Sequence, residues 1–173
     1  MTDELRVLFV CTANICRSPF MELLAREMAG ETVTVSSAGT QGFNDHPMDV
    51  TMAVGLMDRG VSPDIFRSRP LTWDLVDEAD LVLTAEASHR QFVLDEHPSA
   101  FRKVFTLGQF AEAVVRNPDL AGRDLVVAAG ARRPPSIPAH DVPDPYGRGR
   151  EAAAATAARI EDLLGSIISA LST

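Results

Sequence analysis

Apolar positions along the chain keep two different periods in turn, and the alternation predicts a mixed fold. Residues 6–10 form a short, unbroken apolar run with Val7 and Val10, the pattern of a strand covered on both faces. Behind it, Phe20, Leu23, Leu24 and Met28 fall at helical spacing after Pro19, and Gly30 supplies a stop. Residues 32–36 read as a second strand. Residues 47–59 read as a second helix, with Val50, Ala53, Val54 and Met57 as its apolar stripe and Gly60 behind it. Residues 81–84 and 103–107 give a third and a fourth strand, with helices expected over 86–95 and 109–116. Ile160, Leu163, Leu164, Ile167, Ile168 and Leu171 trace the stripe of a last helix that packs onto the sheet. Residues 117–149, rich in Gly, Pro and Arg and without a sustained period, are expected to form a long irregular loop.

Strands and helices in alternation imply right-handed βαβ units. The expected fold is therefore a doubly wound (Rossmann-like), four-stranded parallel sheet with helices on both faces, in a single domain over residues 1–173. A ligand site in such a fold lies beyond the carboxyl ends of the strands. The first of those ends is Cys11.

Composition narrows the picture. A chain of 173 residues can bury one core without a disulfide or metal staple, and 46% hydrophobic against 23% charged residues excludes a disordered one. The net charge of -8 argues against nucleic acid or an anionic membrane as partner, leaving room only for a local positive site. An acidic N-terminus, with Asp3 and Glu4, does not look like a secretion signal. No run of eighteen apolar residues suggests a membrane span, and two cysteines do not make a secreted framework, so a cytoplasmic protein is expected.

Between the first strand and helix stands Cys11-Thr-Ala-Asn-Ile-Cys-Arg17-Ser18. A Cys six residues before an Arg arises by chance in roughly one such chain in six; adding Ser18 and Asn14 brings this to roughly 0.0002. The spacing has a physical purpose. Five residues can curl around one tetrahedral oxyanion with successive N–H groups turned inward, and the helix that follows adds its positive end. Arg17, closing the loop, offers a planar fork to two phosphoryl oxygens. The same positive field favours an anionic sulfur at Cys11, with the Ser18 hydroxyl as a further donor. A thiolate attacking phosphorus needs a proton for the leaving oxygen. The irregular segment supplies Asp141-Val-Pro-Asp144-Pro-Tyr146, in which two prolines stiffen the backbone around the carboxyl groups, and the pair Arg132-Arg133 is a further candidate there.

Cys11-Thr-Ala-Asn-Ile-Cys-Arg-Ser-Pro19 together with Asp144-Pro-Tyr146 resembles the low-molecular-weight protein-tyrosine phosphatases, and the resemblance spans nearly the whole chain. Ser37-Ala-Gly-Thr40, Pro47-x-Asp49 and Arg67-Ser-Arg69 add to it. The resemblance implies that Cys11 is the nucleophile, Arg17 the transition-state clamp, and Asp144 the acid that later activates water. It further implies that Thr12, Ala13, Asn14, Ile15, Cys16 and Ser18 surround the phosphoryl group, that Asn14, Ser18 and Ser37 order the loop, and that Phe43 and Tyr146 flank the substrate ring. No cofactor or metal is implied; the partner is a phosphotyrosine protein met by a monomer, in a bacterial signalling setting. Ala13 stands where the family usually has Gly, so the loop must fit a β-carbon, and Phe66 stands where many relatives have His. Ile15 favours a phenyl ring, since relatives acting on phosphoarginine carry Thr there. Cys16 resembles a second loop cysteine that in many relatives pairs reversibly with the nucleophile, or else it is a small buried hydrophobe.

Other readings rest on less. Cys11 and Cys16 are too few for structural zinc, and His46, His89, His97 and His140 are scattered. No Gly-x-x-x-x-Gly-Lys-Ser/Thr motif exists for a nucleoside triphosphate. An arsenate reductase of the same fold, a phosphoarginine phosphatase and a non-catalytic phosphotyrosine-binding module stay open as alternatives.

Overall fold

The computed structural model describes residues 4–172; Asp3, part of the acidic opening read above, lies outside them. Four parallel strands lie in the order β2-β1-β3-β4: β1 Leu5–Cys11, β2 Val33–Gly39, β3 Leu81–Thr84 and β4 Val104–Thr106. In β1, Leu5, Val7, Phe9 and Cys11 face one core layer, while Leu8 and Val10 face the other. Burial on both faces is why this strand is written as continuous apolar sequence rather than as an alternation. The first layer packs against α1 (Arg17–Met28), α2 (Val50–Met57), α5 (Leu107–Arg116), α6 (Gly122–Ala131) and α7 (Gly149–Leu171). The second packs against α3 (Trp73–Glu78) and α4 (Ala87–Glu96).

This strand order positions the site. From β1 the chain moves to one side for β2 and then returns to the other side for β3, so the loops after β1 and β3 diverge at a topological switch point. Cys11 ends β1 there, opposite Ala85 and Glu86, which follow β3.

Several elements differ from the expectation. Residues 117–149 are not one irregular loop, because α6 occupies Gly122–Ala131 with Leu125, Val126 and Ala129 buried. That stripe is only two turns long, and flanking Gly, Pro and Arg mask its period. In α2 the buried face is Met52, Ala53 and Leu56, whereas Val50, Val54 and Met57 of the expected stripe stand in solvent. Six of the helix's eight residues are large apolar or Ala, so spacing alone does not choose a face; docking does. The strand ends also move: β2 runs on to Gly39, while Leu107, expected to close β4, opens α5 instead, because Thr106 caps that helix through Gln109 N at 3.1 Å. The last helix reaches further back than its apolar stripe. Its first half uses Ala153, Thr156 and Ala157, small residues that let α2 approach.

Candidate active site

The Cys11 loop is held by its own carbonyl groups. Those of Cys11, Thr12, Ala13 and Ile15 accept from the backbone N–H groups of Thr40, Gln41, Phe43 and Asp49, at 2.9, 2.8, 3.3 and 2.8 Å. With the carbonyls tied outward, the N–H groups of residues 12–16 turn to the other side, where among the described residues none has a hydrogen-bond partner. The helix that follows adds to this. α1 has no side-chain cap and no acid in its first turn, so its positive end is left to the loop. Gly39 makes the packing feasible: a β-carbon there would sit 2.4 Å from the Thr12 carbonyl oxygen and 2.9 Å from Asn14 N.

One position bears the strain of the turn. Asn14 has φ 58°, a conformation a non-glycine residue adopts only when fixed by other contacts. Ala13 is not in the left-handed region, so its β-carbon needs no special accommodation. The contacts on Asn14 have a fixed direction. Its Oδ1 accepts from Arg69 N at 2.9 Å, which leaves Nδ2 to donate to Ser37 Oγ at 2.9 Å and to Ser18 Oγ at 2.8 Å. Ser37 in turn donates to the Glu22 carboxylate at 2.5 Å. Ser18 accepts from Asn14 and keeps its own proton, with Cys11 Sγ 2.9 Å away and the Ala38 carbonyl oxygen, at 3.5 Å, the more distant acceptor. A hydrogen-bonded chain anchored on Glu22 therefore reaches the sulfur. Phe66, in place of a polar residue, is buried in the core cluster and takes no part in the chain.

Arg17 is buried with a side-chain exposure of 3%. One guanidinium nitrogen, Nη1, pairs with Glu86 and donates to the Val142 carbonyl at 2.9 Å; Nη2 stands 3.8 Å from Asp144 Oδ2. Its Nε is buried without a protein partner. A buried cation with one donor unsatisfied, beside a row of inward N–H groups, makes a site for an anion. The cavity here measures about 250 Å³ and is lined by Cys11, Thr12, Ala13, Ile15, Cys16, Arg17, Phe43, Asp144 and Tyr146.

The two candidate acids separate by position. Asp141 accepts from Ala87 N at 2.8 Å and so caps α4. Asp144 reaches the cavity, half exposed, its Oδ1 accepting from Tyr146 N at 3.1 Å. Arg133 is turned away to a structural place, stacked on the rings of Phe101 and Phe105 with its guanidinium 4.3 and 4.2 Å from their centres. It donates there to the Phe101 and Val104 carbonyls, and burial lowers its pKa to about 10. Both cysteines are free, and burial, with Asp49, Cys11 and Asp144 nearby, pushes the Cys16 thiol up to about 12. At neutral pH Cys16 is a protonated thiol and a poor nucleophile.

Two residues of this neighbourhood escaped the sequence reading, Glu86 and His89. His89 Nδ1 accepts from Glu86 N at 3.1 Å, so the neutral ring must carry its proton on Nε2, which lies 2.8 Å from Thr12 Oγ1. Burial first, and then Arg17, lower its pKa to about 4. Their one signal in the sequence was their place just after a strand on the side where the site forms. Among the described residues no cluster of three His, Cys, Asp or Glu could hold a metal ion, and no helix is long and apolar enough to cross a membrane.

Comparison with known proteins matches this arrangement to a family. A low molecular weight protein-tyrosine-phosphatase of Escherichia coli strain K12 is 39% identical over 107 residues, covering 61% of this chain and 71% of that protein. One from Streptomyces coelicolor is 33% identical over 156 residues, covering 84% and 80%. Among solved structures, an arginine phosphatase from Geobacillus stearothermophilus superposes with a TM-score of 0.77 at 27% identity, covering 95% of this chain and 91% of that one. The model of the low molecular weight phosphotyrosine protein phosphatases matches residues 6–123, two thirds of the sequence and the part that carries Cys11, Arg17 and Glu86, and the chain belongs to that family.

Proposed function

We propose that the chain, acting as one domain, hydrolyses phosphotyrosine in protein substrates through a cysteinyl-phosphate intermediate. The Cys11 sulfur attacks phosphorus in line and forms the S–P bond as the P–O bond to the phenol breaks. Asp144 gives its proton to that leaving oxygen. Water then attacks the phosphocysteine, Asp144 takes a proton from it, and the S–P bond breaks to release phosphate and restore the thiolate. Arg17 and the inward N–H groups hold the equatorial oxygens throughout, and carry more of their charge in the transition state than in the bound ester. Asn14, Ser18 and Ser37 keep the loop in shape.

The observation that carries this reading is the set of unpartnered donors around Cys11 Sγ, the loop N–H groups and Arg17 Nε, with Asp144 across the cavity. A cavity of about 250 Å³ is smaller than the pockets that enclose drug-sized ligands and suits one phosphorylated side chain. Ile15, Phe43 and Tyr146 give that side chain an apolar and aromatic surround, which supports a phenyl ring over a guanidinium. A monomeric state and a bacterial signalling role rest on the family resemblance.

Turnover of phosphotyrosine, phosphoserine and phosphoarginine peptides, and reduction of arsenate, compared between wild type and Cys11→Ser, tests the proposal. Phosphotyrosine should be preferred, phosphorylated Cys11 should be trapped by acid quench, and the serine variant should be inert, since an alcohol is hardly ionised at neutral pH. Preference for phosphoarginine, or arsenate reduction without ester hydrolysis, would overturn it.

A further inference from the structure

A second cavity among the described residues is more spacious than the one over Cys11. It is a groove of about 620 Å³ between α2 and α7, lined by Val50, Val54, Gly55, Ala153, Ala154 and Ala157, with Arg150 and Asp58 among its polar residues. The two helices run side by side: a β-carbon on Gly55 would lie 3.3 Å from that of Ala157, and one turn further on Arg59 pairs with Glu161. Groove depth comes from those small residues. Its walls are apolar on the α2 side even though they face solvent, Val50 being 78% and Val54 49% exposed.

Both walls begin on segments tied to the phosphate site. On one side Asp49 donates its N–H to the Ile15 carbonyl of the Cys11 loop and caps α2 through Thr51 N and Met52 N, so Val50 starts the groove directly behind the loop. On the other side Tyr146, which lines the catalytic cavity, is followed four residues later by Arg150. Arg150 is exposed and forms no ion pair or hydrogen bond among the described residues. At the far end the Arg59–Glu161 pair crosses between the helices, and Asp58 adds a negative charge there. The groove therefore carries a cation at the end nearer the segments that bear Ile15 and Tyr146, is apolar along its length and is crossed by an ion pair at its far end. From Val50 to Met57 the helix rises about 10 Å, room for about three residues of extended chain.

We propose that this groove is the docking surface for the polypeptide flanking the phosphotyrosine, and that it selects a segment with an acidic residue next to the phosphotyrosine and an apolar one two or three positions beyond. The acidic residue meets Arg150, and the apolar side chain lies on Val50, Val54 and Ala154. The inference rests on the phosphotyrosine reading above and adds to it the sequence around the modified residue.

The test is kcat/KM on phosphotyrosine peptides bearing the acidic and apolar pair on either flank, against peptides with alanine at those positions and against p-nitrophenyl phosphate, for wild type, Arg150→Glu and Val54→Asp. Wild type should prefer the patterned peptide on one flank by about tenfold, each variant should lose that preference, and p-nitrophenyl phosphate turnover should stay the same in all three. Equal rates on patterned and alanine peptides overturn the docking surface and leave the phosphotyrosine reading intact. A parallel fall in p-nitrophenyl phosphate turnover also overturns it, by assigning the two residues to the catalytic site. Wild type that cleaves p-nitrophenyl phosphate and no phosphotyrosine peptide overturns both proposals. Sedimentation shows whether a second copy occupies the groove: a dimer that Val54→Asp dissociates would replace the peptide as its occupant and overturn the inference.

Discussion

His89 ties acid stability to the phosphate loop, and its effect can be worked out in advance. Its ring faces Arg17, Glu86, Asp141 and Asp144 and bridges Thr12 to the backbone of Glu86. Burial is the largest cause of its lowered pKa, about 4 against 6.5 in a free chain. The sign follows from proton counting. Between pH 6.5 and 4 the unfolded chain binds a proton at this residue and the folded chain does not, so stability falls as pH falls through the window. Two and a half units at 1.36 kcal/mol each amount to about 3 kcal/mol, fully present above 6.5 and gone below 4. Urea unfolding of wild type and His89→Gln, from pH 7 down to 4, isolates this contribution, because glutamine does not titrate and the other ionisable groups cancel in the difference. The stability advantage of wild type should shrink by about 3 kcal/mol across the window. Two curves that stay parallel between pH 6.5 and 4.5 would refute the argument, and with it the single-tautomer bridge from His89 to Thr12.

Three further outcomes follow from the geometry. Asp144→Ala should cost about 10² to 10⁴ in kcat, and less for esters with good leaving groups; Asp141→Asn should leave kcat nearly unchanged and lower stability by about 1 kcal/mol through the weakened α4 cap, so a larger kcat loss at Asp141 would reassign the acid. Gly39→Ala drives a β-carbon against three backbone atoms; thermal unfolding should report about 1 to 3 kcal/mol of destabilisation, and phosphate should inhibit the variant more weakly. Arg133→Ala removes hydrogen bonds to two carbonyls and two ring contacts and should cost about 2 kcal/mol in urea unfolding, with kcat/KM unchanged; lost activity at full stability would make it a substrate contact.

The parts of this molecule that could be read in advance are those whose signal is local. β1 is written as an unbroken apolar run because it is buried on both faces, and Cys11 to Ser18 carries its chemistry in spacing alone, since a loop that wraps one anion must draw its donors from consecutive residues. The C-terminal half of α7 has a long, regular stripe. Where elements are short or apolar all round, local signals fail. α6 shows only two turns of stripe between glycines. In α2, Val50 and Met52 are equally apolar, and the Asp49 anchor on the Ile15 carbonyl, an interaction across more than thirty residues, decides which of them is buried. The division between Asp141 and Asp144 is of the same kind: three residues apart in sequence, one caps a helix and the other reaches the cavity, because Val142 N is held to the Ala85 carbonyl between them. Glu86 and His89 belong to the site only because β3 lies beside β1. Residue type and spacing were enough to mark the groups that could do the chemistry, since a nucleophile, a fork and an anion nest need nothing more. Which carboxylate faces the cavity, what fixes Arg17 and where a groove opens between α2 and α7 come only from the tertiary structure, because those depend on contacts between segments that the strand order brings together.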